Sequence, residues 1–119
     1  SSNFVTPTIF DGVTNAMVIA LVVIFGPVLS VMTFRDEDEA VRIANASIYG
    51  LAASVWSGNI SRVMRMADAL RAGTVSVNCM DAAGPVVPFG GFKQSGIGRD
   101  NSLHALDKYT NLKTVWIKY

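Results

Sequence analysis

The chain has 119 residues, half of them apolar, with ten Lys and Arg against nine Asp and Glu and a net charge of +1. It has the length of one compact domain, and its charge leaves no basic footprint for a nucleic-acid backbone. One cysteine, Cys79, excludes an internal disulfide framework and any multi-cysteine metal site, so a reducing, cytoplasmic setting is the default.

Ser1-Ser2-Asn3 opens without a methionine, which leaves open a processed product, an engineered piece or part of a longer protein. The stretch AMVIALVVIFGPVLSVMTF, Ala16 to Phe34, carries no charge and has the length of a membrane span. Gly26-Pro27 divides it, because proline has no N–H for a helix and biases the preceding residue toward extended geometry. The expectation is therefore a short apolar segment, Ala16 to Phe25, a turn, and a strand from Val28 to Phe34, sheltered in a sheet layer and not in lipid. The flanks agree, since Arg35 is followed by Asp36-Glu37-Asp38-Glu39 and no basic segment precedes the run.

Asp36 with Glu39 three residues on predicts a capping box, and Ala40, Ile43, Ala44 and Ser47 continue at helical spacing until Tyr49-Gly50. Leu51 to Trp56 reads as a buried strand and Ser57-Gly58-Asn59 as a turn. A second helix should place Ile60, Val63, Met64, Ala67 and Leu70 on one face, with Gly73 as a left-handed stop. Thr74 to Asn78 alternates as a strand. The order β-α-β-α-β predicts an α/β fold with a parallel sheet. The loop from Cys79 to Asp100 is long and rich in glycine, Ser102 should cap a short helix through Tyr109, and Leu112 to Tyr119 reads as a final strand in need of a partner sheet.

The generic signals for chemistry are weak. Cys79 and His104 have no orienting carboxylate in view, FGGFKQSGIGR matches neither a P-loop nor a dinucleotide fingerprint, and the acidic run is explained by its helix start. No catalytic residue and no metal site are assigned.

The motifs PTIF, IFGPVLSV, A-N-x-x-x-Y-G-L-A-A, ALRAGTVSVN and PFGGFKQSGIGRD, in this order, resemble the carboxy-terminal part of an NAD(P)-dependent aldehyde dehydrogenase from Pro7 to Tyr119. The ending is similar to bacterial enzymes that oxidise γ-glutamyl-γ-aminobutyraldehyde or guanidinobutyraldehyde. The resemblance implies a division into residues 1–110, part of a catalytic domain, and 111–119, an oligomerisation strand that includes Thr114 to Lys118. It implies hydride transfer to NAD or NADP in the parent enzyme, from an adduct of the aldehyde with a cysteine that lies outside these residues. Cys79 does not match that nucleophile. The isolated chain is expected to be inactive and to bind no cofactor alone, and its expected partner is the rest of a dehydrogenase chain or a homo-oligomer, not nucleic acid and not a membrane.

By the same resemblance, Phe25 stands beside the nicotinamide end of the cofactor, and Val23 occupies the position of a glutamate that holds the nicotinamide ribose. Losing that charged acceptor would cost on the order of 1.5–3 kcal/mol. Val18, Leu21 and Val22 also stand where charges are usual. Phe89, Asp81 and Ala83 match substrate-tunnel positions. Two other readings compete: a non-catalytic interaction remnant, and a membrane-inserted protein using Ala16 to Phe34.

Overall fold

The computed structural model describes residues 3–80 and 84–119. The fold is mixed α/β, with a better-packed half built on one parallel strand pair. Strand β4 (Ala52–Val55) lies beside β5 (Thr74–Val77), connected through helix α3 (Ile60–Ala69). Because side chains alternate along a strand, Ala53, Val55, Val75 and Val77 face α3, where they meet Val63, Met66 and Leu70. Val63 is the most deeply buried side chain at 2 % exposure.

Both main helices begin at a capping side chain, the first at the Asp36 cap that the sequence predicts. Helix α2 (Glu37–Asn45) starts with the Asp36 carboxylate accepting the Glu39 N–H at 2.8 Å. The reciprocal contact lands one residue early, since the Glu39 carboxylate accepts from the Arg35 backbone N–H and from its guanidinium. Asn59 caps α3 by accepting the Arg62 N–H. Glu37 then ties the two helices together by accepting two bonds from Arg65, both at 2.8 Å.

Four expectations need correction. The buried face of α3 is Val63, Met66, Ala67 and Leu70; Ile60 and Met64 stay largely exposed, because the strands meet the helix about one position around from the stripe the spacing suggested. Gly73 is not a left-handed stop, since its φ is not positive and α3 ends on an extended Leu70. Gly73 is there because a side chain would not fit: a Cβ would lie 1.7 Å from the Gly90 carbonyl oxygen. The parallel strands do not form one sheet either. Strand β1 (Thr8–Phe10) pairs in parallel with β2 (Val28–Ser30), β4 with β5, and β3 (Tyr49–Gly50) runs antiparallel to β6 (Phe92–Lys93), giving three two-stranded sheets among the described residues. Finally, Leu112 to Tyr119 forms no strand and Trp116 is 89 % exposed, as an unpaired edge segment has nothing to hydrogen-bond.

The uncharged run does split as expected. Helix α1 (Val18–Leu21) is one turn, Gly26 and Val28 close tight turns, and β2 follows. No helix among the described residues is long and apolar enough to cross a membrane. The run is not sheltered, however: Val18 and Phe25 stand open to solvent.

That exposure is general. A compact chain of this length has a radius of gyration of about 13.5 Å, against 19.1 Å here. A folded monomer of this mass exposes about 6,200 Å², against 9693 Å² here. The surplus of about 3,500 Å² lies on this one chain and is several times the roughly 800 Å² per partner of a standard interface.

Gly73→Ala is expected to lower the urea midpoint of the chain, by about 1–3 kcal/mol of stability, because the Gly90 backbone must move. Gly58→Ala, with nothing within 4 Å, should stay within about 0.5 kcal/mol. Acid gives an independent readout at α2. Hydrogen bonds and charge from Arg35 push Glu39 down to about 2, and Arg65 lowers Glu37. A depressed carboxylate stabilises the fold above its unfolded value, near 4.5, and that contribution is lost as pH falls toward 2. Helical circular dichroism should therefore decline between those values, and Arg35→Ala should move the decline to higher pH.

Candidate cofactor- and substrate-lining site

At the carboxyl ends of β4 and β5 the chain is clamped by Asn78. Its side chain accepts from the Ser57 N–H and donates to the Ser57 carbonyl, and its backbone sits at φ +51°. The two strand exits are thereby held side by side, the place where loops of parallel sheets assemble ligand sites. Cys79 follows, half-buried, with its carbonyl accepting the Ser54 hydroxyl at 2.7 Å.

The glycine-rich loop crosses the face of β4 and β5 opposite α3. Phe89 and Asp100 exchange backbone hydrogen bonds of 2.8 and 2.7 Å, making a closed neck. Within the loop Arg99 donates to the carbonyls of Gly91 and Gly98, and its guanidinium lies 5.4 Å from the Phe92 ring. Lys93, at φ +54°, donates to the carbonyls of Asn45 and Ser47, where α2 leaves its last carbonyl groups open. Asn45 in turn donates to the Ala69 carbonyl and accepts the Arg71 N–H, locking the ends of α2 and α3 together.

The structure distributes the sequence-predicted site residues unevenly. Phe89 lines a cavity of about 200 Å³ with Thr74, Ser76, Met80, Val87 and Asn101 among its walls. Phe25 and Val23 lie on the turn-rich segment before β2, Phe25 fully open at 99 % and Val23 at 55 %, and they line neither of the two cavities to which Phe89 contributes. Asp81 and Ala83 lie outside the described residues. Among the described residues no group of three or more His, Cys, Asp or Glu could hold a metal ion.

The side chains that organise this region, Asn45, Asn78, Lys93 and Arg99, were not singled out by sequence patterning. Their partners are distant in the chain or are backbone carbonyls, which periodicity cannot register. The signal that pointed toward them was the resemblance itself, because Asn45, Asn78, Lys93 and Arg99 all fall within its motifs.

The sequence profile described as the aldehyde dehydrogenase family matches residues 1–115, and the chain belongs to that family. It is 52 % identical over 111 residues to the NADP/NAD-dependent aldehyde dehydrogenase PuuC of Escherichia coli, covering 93 % of this chain and 22 % of PuuC. Among solved structures, it matches the aldehyde dehydrogenase KauB from Pseudomonas aeruginosa with a TM-score of 0.91 and 65 % identity, over 98 % of this chain and 23 % of that one. An indole-3-acetaldehyde dehydrogenase solved with NAD+ matches with the same TM-score at 62 % identity and the same coverage. The chain thus spans about a quarter of the length of the relatives it matches.

Lys93→Met should detach the loop from the end of α2 and cost about 1–2 kcal/mol, read as a lower urea midpoint and faster amide exchange at Ser47 and Tyr49.

Proposed function

We propose that the chain acts as the carboxy-terminal quarter of an enzyme that oxidises an aldehyde to a carboxylic acid with NAD(P)+, and that alone it does not turn over. The observation that carries this reading is the pairing of high identity to a quarter of known dehydrogenases with an accessible surface of 9693 Å², far more than a finished monomer exposes. An aminoaldehyde of the γ-glutamyl-γ-aminobutyraldehyde or guanidinobutyraldehyde type is the substrate class that the ending of the chain favours.

When bound, NAD(P)+ supplies the hydride acceptor; the residues of this chain line and shape the site. Phe25, presented without cover by the Gly26-Pro27 turn, offers an aromatic face to the nicotinamide end. Val23 offers only aliphatic surface. The fit of this segment to a cofactor is therefore apolar, with the ribose hydroxyls left to other acceptors. Phe89, fixed by its backbone exchange with Asp100, borders the aldehyde tunnel, with Asp81 and Ala83 proposed at the same tunnel. Residues 111–119 serve as a strand for a neighbouring subunit, a role supported by the exposure of Val115, Trp116 and Ile117.

The chain mixed with NAD+ and an aminoaldehyde should give no NADH signal. Co-expressed with the amino-terminal three quarters of a similar dehydrogenase, it should restore turnover. Turnover by the isolated chain refutes its incompleteness, and a well-formed but inactive complex favours the interaction remnant. In the active complex Val23→Glu should lower the KM for NAD+ about tenfold to a hundredfold, the effect of regaining a charged acceptor.

A further inference from the structure

We infer that Lys108 is a positioning residue for the aldehyde: its ion pair with Asp100 braces the strap that holds Phe89 at the tunnel wall. The inference rests on the reading of Phe89 as a tunnel residue of an aldehyde dehydrogenase.

The strap is residues 100–102, and it crosses the stem of the glycine-rich loop. Asp100 exchanges both of its backbone hydrogen bonds with Phe89, and the Ser102 N–H donates to the Pro85 carbonyl at 2.8 Å. The loop is thus fixed at two points by one short segment. That segment is strained. Asn101 and Ser102 follow each other at φ +58° and +53°, and with a ψ of −173° Ser102 lies in a region that glycine alone visits freely. Residues in such conformations persist only where the surrounding contacts hold them there.

On one side Pro85 and Phe89 do the holding; on the other it falls to the 3₁₀ helix Leu103–Lys108. The Ser102 hydroxyl accepts the His104 N–H at 3.2 Å, and from the end of the same helix the Lys108 ammonium reaches back to the Asp100 carboxylate. The pair therefore closes a ring around the two strained residues. Lys108 is itself steadied. The Tyr109 N–H and the Thr110 hydroxyl both donate to the Leu106 carbonyl, and the ammonium lies 5.6 Å from the centre of the Tyr109 ring. Arg99, nearer in sequence, is taken up by the carbonyls of Gly91 and Gly98, so the cation that meets Asp100 is Lys108. Asp100 and Lys108 also line a cavity of about 170 Å³ together with Phe89, which puts the pair beside the residue it braces.

The pair is open to water, with 41 % of the Lys108 side chain and 66 % of the Asp100 side chain exposed. Pairs of that kind contribute little to global stability. The consequence is local: the strap loosens, the ring shifts, and a substrate packed against the ring loses binding before it loses chemistry.

The test combines amide exchange on the 119-residue chain with kinetics on its complex with the amino-terminal three quarters of a similar dehydrogenase. Lys108→Met should speed exchange at Phe89 and Ser102 about three- to fivefold, the size of a lost exposed ion pair, and leave Thr74 and Asn78 beside β4 unchanged. Lys108→Arg should restore slow exchange. Asp100→Asn should match Lys108→Met, and the double variant should be no faster than either single one. Asp107→Asn, on the same 3₁₀ helix and without an ion pair among the described residues, should change nothing. In the complex, Lys108→Met should raise the KM for the aldehyde about threefold and keep kcat and the KM for NAD+ within about twofold. Unchanged exchange at Phe89 and Ser102, equal acceleration at Thr74 and Asn78, or no recovery in Lys108→Arg overturns the inference. An aldehyde KM that does not move in an active complex also overturns it. An unsubstituted complex without turnover sinks the dehydrogenase reading instead, and exchange alone then decides whether Lys108 braces the strap.

Discussion

The packing of α3 against one face of the β4–β5 pair is the constraint on which the rest of this chain depends. Val55, Val63 and Leu70 form its buried centre, and burial of each such side chain contributes about 1.5–3 kcal/mol. That cluster fixes the strand pair. The pair then presents Ala52, Ser54, Thr74 and Ser76 on its other face, and the glycine-rich loop is laid across them. The close approach of Gly73 to Gly90 belongs to the same arrangement, since the loop backbone passes where a side chain would otherwise stand.

Polar side chains complete what this small core begins. Asn45 joins the ends of the two helices, Lys93 closes the end of α2 from the loop, and Asn78 holds the two strand exits together. Each satisfies backbone groups that would otherwise lack partners, and groups of that kind are costly to leave unmade. The loop is accordingly held by backbone and charge contacts more than by apolar burial. This leaves its aromatic residue, Phe89, at a cavity wall and not in a core.

The apolar surface has a different logic. Phe25, Val18, Trp116 and Leu112 are open to solvent, and β2 and β4 keep unpaired edges toward one groove. In a finished domain such groups are covered. Here they stay open among the described residues.

The sequence by itself determined the local elements: the Asp36 cap, the turn at Ser57-Gly58-Asn59, the division of the uncharged run at Gly26-Pro27, the strands around Ala52–Val55 and Thr74–Val77, and the family through its motifs. These are short-range effects, set by capping chemistry, proline geometry and side-chain alternation within a few residues. Only the tertiary structure decided which face of α3 is buried, why residue 73 is a glycine, that Tyr49–Gly50 pairs with Phe92–Lys93, and that the parallel strands stand apart around a groove. Those outcomes depend on which distant backbone arrives beside each residue, and no local periodicity encodes an arrival from 40 residues away.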